Sequence, residues 1–211
     1  MTHVAVVDYG MGNLRSVAKA LEHVGAADVR VTDDADVIRE AERVVFPGQG
    51  AVRDCMSALH RHELVDVLRR SIGERPFLGV CMGMQALLTH SEENEGVEAL
   101  DLLPGEVRHF RRLTGGDPAL KIPHMGWNRV HQVQEHPLWE GIEDGARFYF
   151  VHSYYVEPSE SALVFGETEY GGRFASAIGR GNVFATQFHP EKSQRAGLQL
   201  LRNFLRWDGT V

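Results

Sequence analysis

Cys81 stands in the run Gly79-Val80-Cys81-Met82-Gly83, where a hydrophobic strand pattern (Phe77 to Val80) gives way to a helical one. Far downstream, His189 and Glu191 follow a second strand pattern in Phe184-Ala185-Thr186-Gln187-Phe188-His189-Pro190-Glu191. A thiol on a strand-to-helix elbow, with a histidine and a carboxylate that a parallel sheet can bring beside it, is suited to acyl transfer through a thioester. The two elbow glycines permit a tight turn that a side chain would obstruct. That turn lifts the sulfur above the sheet edge and sets it at a helix N-terminus, where free N–H groups and partial positive charge favour thiolate. The N–H of Met82, next after the nucleophile, is then a natural oxyanion donor.

Taken singly, these signals are open. A Gly-x-Cys-x-Gly elbow is equally read as a small buried cysteine in a turn, and His-Pro-Glu on its own reads as an exposed turn. Together they support each other, because both follow apolar strands, where α/β sites are found. In an extended segment residues 189 and 191 project to the same side, so the carboxylate can orient the imidazole. A second donor loop is offered by Pro47-Gly48-Gln49-Gly50, after the strand Val44-Val45-Phe46, whose glycines can present N–H groups toward Cys81. Gly10-Met11-Gly12-Asn13 imitates a phosphate loop but fits neither nucleotide-binding glycine pattern.

The elements that must position these residues alternate. His3–Asp8, Val29–Thr32, Arg43–Phe46 and Phe77–Val80 read as strands; Asn13–Val24, Ala51–His60, Leu64–Ile72 and Gly83–His90 read as amphipathic helices. This order predicts an α/β fold, a central mostly parallel sheet flanked by helices. From Glu106 the pattern changes. Val107–Phe110, Asn128–Gln134, Arg147–Val151, Ala162–Thr168, Phe174–Ile178 and Asn182–Phe188 predict a mixed or antiparallel region, closed by a helix over Ala196–Trp207. No linker or repeat interrupts the 211 residues, so one domain spanning 1–211 is expected.

The net charge of −7 without a basic block argues against nucleic acid, and no apolar stretch reaches the length of a membrane span. Two cysteines, Cys55 and Cys81, are expected as free thiols of a cytoplasmic protein, Cys55 in packing. His23, His60, His62, His90 and His109 lack ligand spacing, so neither a metal nor a cofactor is expected.

With these residues in view, Gly79-Val-Cys-Met-Gly-Met-Gln85 and His189-Pro-Glu191 resemble the class I glutamine amidotransferases, whose fold is flavodoxin-like. Within them, Asp8-Tyr9-Gly10-Met11-Gly12-Asn13-Leu14, Pro123-His124-Met125-Gly126-Trp127-Asn128, Tyr149-Phe150-Val151-His152-Ser153-Tyr154 and His189-Pro-Glu-Lys-Ser193 are similar to the family of glutaminase subunits of imidazole glycerol phosphate synthase. The resemblance covers essentially the whole chain. It implies that Cys81 attacks the glutamine side-chain amide, that His189 carries the proton and that Glu191 orients His189. It also implies that Gln85, Glu93 and the segment His152, Ser153, Tyr154 hold the substrate. A (β/α)₈ cyclase is the implied partner and consumer of the ammonia, in a heterodimer whose interface lies near Asn13, Pro123, His124, Trp127, Tyr149 and Lys192. Taken without the resemblance, the Met125–Trp127 segment equally reads as core.

In that family the oxyanion loop often reads Pro-Gly-Val-Gly; here Gln49 takes the valine's place. The resemblance implies that the Gly48–Gln49 peptide rests turned away until the partner binds its own substrate, the Gln49 N–H then joining Met82 N–H as the missing oxyanion donor. The competing expectations are the glutaminase subunit of another amidotransferase (anthranilate, aminodeoxychorismate or vitamin B6 synthesis) and a non-catalytic protein on the same fold.

Overall fold

Four short apolar runs build a parallel sheet in the amino-terminal half. The computed structural model describes residues 3–210. In it β1 (His3–Val7), α1 (Leu14–His23), β2 (Asp28–Thr32), α2 (Ala35–Glu40), β3 (Arg43–Gly48), α3 (Val52–Arg61), α4 (Val65–Glu74) and β4 (Phe77–Cys81) follow in order. β1 lies between β2 and β3, and β3 lies beside β4, all parallel. Side chains alternate across this sheet as the pleat requires. Val44, Phe46 and Phe77 pack with Leu59, Leu64 and Leu68 of the α3–α4 side, while Val45, Leu78 and Val80 pack with Leu21 of α1 on the other.

The second half adds α5 (Met82–Gln85), β5 (His90–Ser91), β6 (Val97–Glu98), β7 (Gly105–His109), α6 (Phe110–Thr114), β8 (His124–Gln132) and β9 (Ala146–His152). There follow β10 (Tyr154–Pro158), β11 (Val164–Glu169), β12 (Arg173–Arg180), β13 (Val183–Thr186) and α7 (Gln194–Arg206). β13 returns to pair parallel with β4, so the sheet runs β2-β1-β3-β4-β13-β12-β10-β7-β5-β6. β11, β8 and β9 extend it antiparallel from β12. Helix α7 lays Leu200, Leu201 and Phe204 on the α1 side of the core. The fold is thus α/β, with the parallel centre and antiparallel half that the sequence pattern predicts.

The structure departs from the expected elements in several places. The helix expected over Gly83–His90 is α-helical only over Met82–Gln85. The carbonyls of Ala86, Leu87 and Leu88, which would have carried it on, accept N–H groups from residues 100–103 instead, and His90 pairs with Glu106 in the sheet. α2 escapes the periodicity reading because it is six residues long, although Asp34 marks its start by accepting from Asp36 and Val37 N–H. α6 is also too short for a helical period, and β10 is hidden because only Ser153 separates it from β9. β8 begins at His124 and not Asn128, so Met125 and Trp127 stand on a strand; both are exposed, at 61% and 44%, which removes the core reading.

Candidate active site

Three adjacent strands deliver the site. β3 ends at Gly48, β4 at Cys81 and β13 at Thr186; Gly48 is the register partner of Cys81, and Thr186 that of Val80. Cys81 has φ 55° and ψ −105°, a left-handed conformation that strains a side-chain-bearing residue by about 1–3 kcal/mol. Its glycines are sterically required. A Cβ on Gly83 would lie 1.8 Å from the Phe46 carbonyl oxygen, and one on Gly79 would lie 3.1 Å from the Gly83 oxygen and 3.0 Å from Ala185 Cβ. Met82 is the first residue of α5, so its N–H has no acceptor within the helix. Since α5 is only one turn, local N–H groups rather than a long helix dipole act on the sulfur.

His189 reaches the sulfur by a different backbone from the extended one expected. Beyond β13 the chain forms a 3₁₀ turn over Pro190–Lys192, and it is this turn that brings Glu191 Oε1 within 2.9 Å of His189 Nδ1. The turn is stitched to β9: His189 N–H donates to the Tyr149 carbonyl at 2.9 Å, and Ser193 Oγ donates to the His189 carbonyl while accepting from Tyr149 N–H. Both side chains are buried, at 3% and 2% exposure. The carboxylate claims the proton on Nδ1. Nε2 is buried without a hydrogen-bond partner of ordinary geometry. Burial disfavours an imidazolium, but the Cys81 sulfur and the Glu191 carboxylate outweigh it and raise His189 to about 10.

A cleft of about 470 Å³ opens above this pair. Cys81, Met82, His189 and Gln49 lie in its wall, and so do Gln85, Glu93, His152, Ser153 and Tyr154. Gly48 stays in the strand, Glu191 stands behind His189, and both border a tighter crevice that also touches Asn13. Glu93 Oε2 accepts the N–H of Val52 at 2.8 Å, at the start of α3. Burial raises its carboxyl despite that bond.

Gly50 of the expected donor loop lines the cleft, and three participants in the site are not singled out by the sequence reading. Val151 also lines the cleft. Tyr9, buried at 1%, donates its hydroxyl to the Pro47 carbonyl at 3.1 Å, beneath the loop. Gln187, fully buried, reaches Cys81 Sγ with its amide nitrogen at 3.6 Å. The one signal for Gln187 in the sequence is its place two residues before His189.

Of the residues expected near a partner, Pro123 and Lys192 border the cleft. Trp127 meets Tyr149 edge-on at 6.1 Å, and Lys192 Nζ lies 5.9 Å from the Tyr149 ring centre. His124 is different: at 3% exposure it does not reach the surface. It stacks on Tyr170 and bonds His152 Nε2 at 2.9 Å, supporting the strand from beneath.

Residues 5–207 match the family model described as glutamine amidotransferase class-I. The chain is 60% identical over 210 residues to imidazole glycerol phosphate synthase subunit HisH of Pseudomonas putida, covering 99% of each. It is 55% identical to the protein of that name from Hydrogenovibrio crunogenus, covering 98% of this chain and 97% of the relative. Among solved structures it is similar to PurLQS from Thermotoga maritima, with a TM-score of 0.74 at 18% identity over 97% of this chain and 98% of that one. The glutaminase domain of Trypanosoma brucei CTPS, solved with acivicin, gives 0.64 at 17% over 99% and 95%. These two likenesses show the fold, and the sequence match shows the kinship: the chain belongs to the class-I glutamine amidotransferase family.

Proposed function

We propose that this protein is the glutaminase subunit of an imidazole glycerol phosphate synthase, working in histidine biosynthesis as one domain in the cytoplasm. The observation that carries the chemistry is the buried Glu191–His189 pair, 2.9 Å apart, with His189 raised by the sulfur of a strained cysteine and then by Glu191, in the wall of a cleft. The Cys81 sulfur attacks the carbonyl carbon of the glutamine side chain, and the resulting oxyanion takes hydrogen bonds from Met82 N–H and the Gly48–Gln49 peptide. His189 passes its proton to the departing nitrogen, the C–N bond breaks, and ammonia leaves a glutamyl thioester. Water then gives a proton to His189 and attacks the thioester; glutamate leaves and the thiol is restored. Glu191 holds the ring throughout.

Gln85, Glu93 and the backbone of His152, Ser153 and Tyr154 bind the amino-acid end of glutamine, a role consistent with their place in the cleft wall. The partner is the cyclase subunit, seated on the face bearing Trp127, Tyr149, Lys192 and Pro123, in a heterodimer that consumes the ammonia. Support comes from relatives at 55–60% identity that carry the subunit name over nearly full length. The test is glutaminase turnover of the purified chain alone and with the cyclase carrying its ribonucleotide ligand. Low activity alone and strong stimulation are expected; full activity unchanged by the cyclase refutes the assignment. Co-purification with an anthranilate or aminodeoxychorismate synthase instead would move the chain to that pathway.

A further inference from the structure

A chain of amide contacts ends on the nucleophile. The Tyr154 carbonyl can only accept, so the Gln85 side chain presents its nitrogen there, at 3.2 Å. The same nitrogen donates to Gln187 Oε1 at 3.0 Å. That contact turns the Gln187 oxygen toward Gln85 and so its nitrogen toward the Cys81 sulfur, 3.6 Å away. Orientation is therefore handed from a backbone carbonyl through two buried amides, Gln85 at 4% and Gln187 at 0% exposure.

We propose that Gln187 is a positioning residue for Cys81: its N–H, aimed by the Tyr154 carbonyl through Gln85, holds the sulfur toward the cleft and stabilises it as thiolate. The proposal rests on the glutaminase reading for its purpose but not for its test. A hydrogen bond to an anion is stronger than one to a neutral acceptor, so the donor favours the charged sulfur. Cys81 sits at a positive φ at the N-cap of a one-turn helix, so a local donor supplies field that a long helix would otherwise give. Gln187 lies on the strand exit that also delivers His189, and a single segment therefore sets both donor and base. The other titratable groups around the sulfur are His189 with Glu191, Tyr9 from below, and Glu93, His152, Tyr154 and Lys192 on the cleft wall. None of these groups is itself replaced in the variants below.

The experiment is alkylation of Cys81 by iodoacetamide in the full chain, followed by peptide mass between about pH 5 and 9. Cys55, fully buried and raised to about 12, is read as a separate peptide. Gln187→Leu is expected to move the alkylation midpoint up by about one pH unit, roughly a tenfold loss of rate below it. Gln187→Glu keeps the shape and the acceptor for Gln85 but replaces the donor by an anion, and should move the midpoint further. A merely structural role would lower the melting temperature and leave the midpoint alone. Profiles of both variants that superimpose on wild type, with circular dichroism unchanged, overturn the proposal; so does loss of folding in both, which would place Gln187 in the frame of the fold. If only one folds, its midpoint decides. Wild-type protein that hydrolyses no glutamine beside its cyclase would refute the glutaminase reading while leaving this thiol profile interpretable.

Discussion

A Cβ on Gly48 would lie 2.1 Å from the Tyr9 hydroxyl and 2.7 Å from Met82 Cβ. The Tyr9 hydroxyl is held in turn by the Pro47 carbonyl, one residue before Gly48. The donor loop is thus clamped between the phenol below it and the residue that follows the nucleophile. Gly48→Ala should destabilise the fold by about 1–3 kcal/mol, as overpacking of a filled site does, and lower glutamine turnover. Tyr9→Phe removes the atom in the way, so the double variant should recover part of the loss; urea unfolding of all four proteins measures the coupling. Strict additivity would show that the clamp does not exist.

Cys81→Ala should reduce glutamine hydrolysis by at least about 10⁴-fold, since the covalent route is lost. Affinity for the cyclase should stay within about twofold. The backbone strain at φ 55° belongs to any residue with a Cβ, so Cys81→Gly should be more stable than wild type by about 1 kcal/mol while equally inactive. A destabilised glycine variant, read by thermal unfolding, would deny that the elbow stores strain.

Glu191→Gln keeps the size of the group but removes the charge that helps raise His189. One of its heteroatoms must also sit where Glu191 Oε2 is now buried without a partner. The ring loses the fixed proton on Nδ1, and kcat should fall by about 10²–10⁴ with KM changed less than about threefold. A large KM change with kcat preserved would assign Glu191 to binding instead of orientation.

How far the site could be read in advance follows from which signals are local. The Cys81 elbow is local: two glycines at fixed spacing state the turn, and their steric need at Phe46 and Ala185 bears that out. The sequence pattern predicts the contact between His189 and Glu191, but from an extended geometry, whereas a 3₁₀ turn produces it. Pro190 hides that difference because it suits either backbone. Gln187 and Tyr9 could not be read, since their partners lie 106 and 38 residues away in sequence. Only the pairing of β13 with β4 for Gln187, and of β1 with β3 for Tyr9, brings them together. His124 marks the opposite limit: a polar residue in a motif looks like surface until the aromatic side chains around it are placed.

Trp127 exposes 44% of its surface beside the more exposed Met125, on the strand that follows Pro123 of the cleft wall. Exposed apolar side chains of this size are anchors for a partner more often than contributors to a monomer's stability. Trp127→Ala should weaken cyclase binding by roughly 10- to 100-fold, the loss of about 1–3 kcal/mol. Its unfolding free energy alone should change by less than about 0.5 kcal/mol. Unchanged affinity by titration calorimetry would move the docking face elsewhere.

Three buried histidines set the acid stability. Burial lowers His124 and His136 to about 4 and His152 to about 3, the last also by His124 and His189 nearby. Between about pH 6.5 and 4 the unfolded chain protonates these rings and the folded chain does not. Stability is therefore present above about pH 6.5 and is lost as pH falls through that window. His189, raised instead, is protonated throughout in the folded chain and opposes the slope only near pH 6.5, where the unfolded ring is still titrating, while Glu93, also raised, opposes it with one carboxyl. The slope of unfolding free energy against pH should exceed the roughly 1.4 kcal/mol per unit of a single proton. His136 offers the clean control: its ring sits among Phe165, Phe184 and Trp207, with Nδ1 accepting Leu138 N–H and Nε2 unpartnered. His136→Phe should cost about 1 kcal/mol at neutral pH by losing that cap, yet reduce the slope by close to one proton. Urea melts at intervals from about pH 7 to 4 measure both. A variant with the wild-type slope would show that His136 is protonated inside the fold.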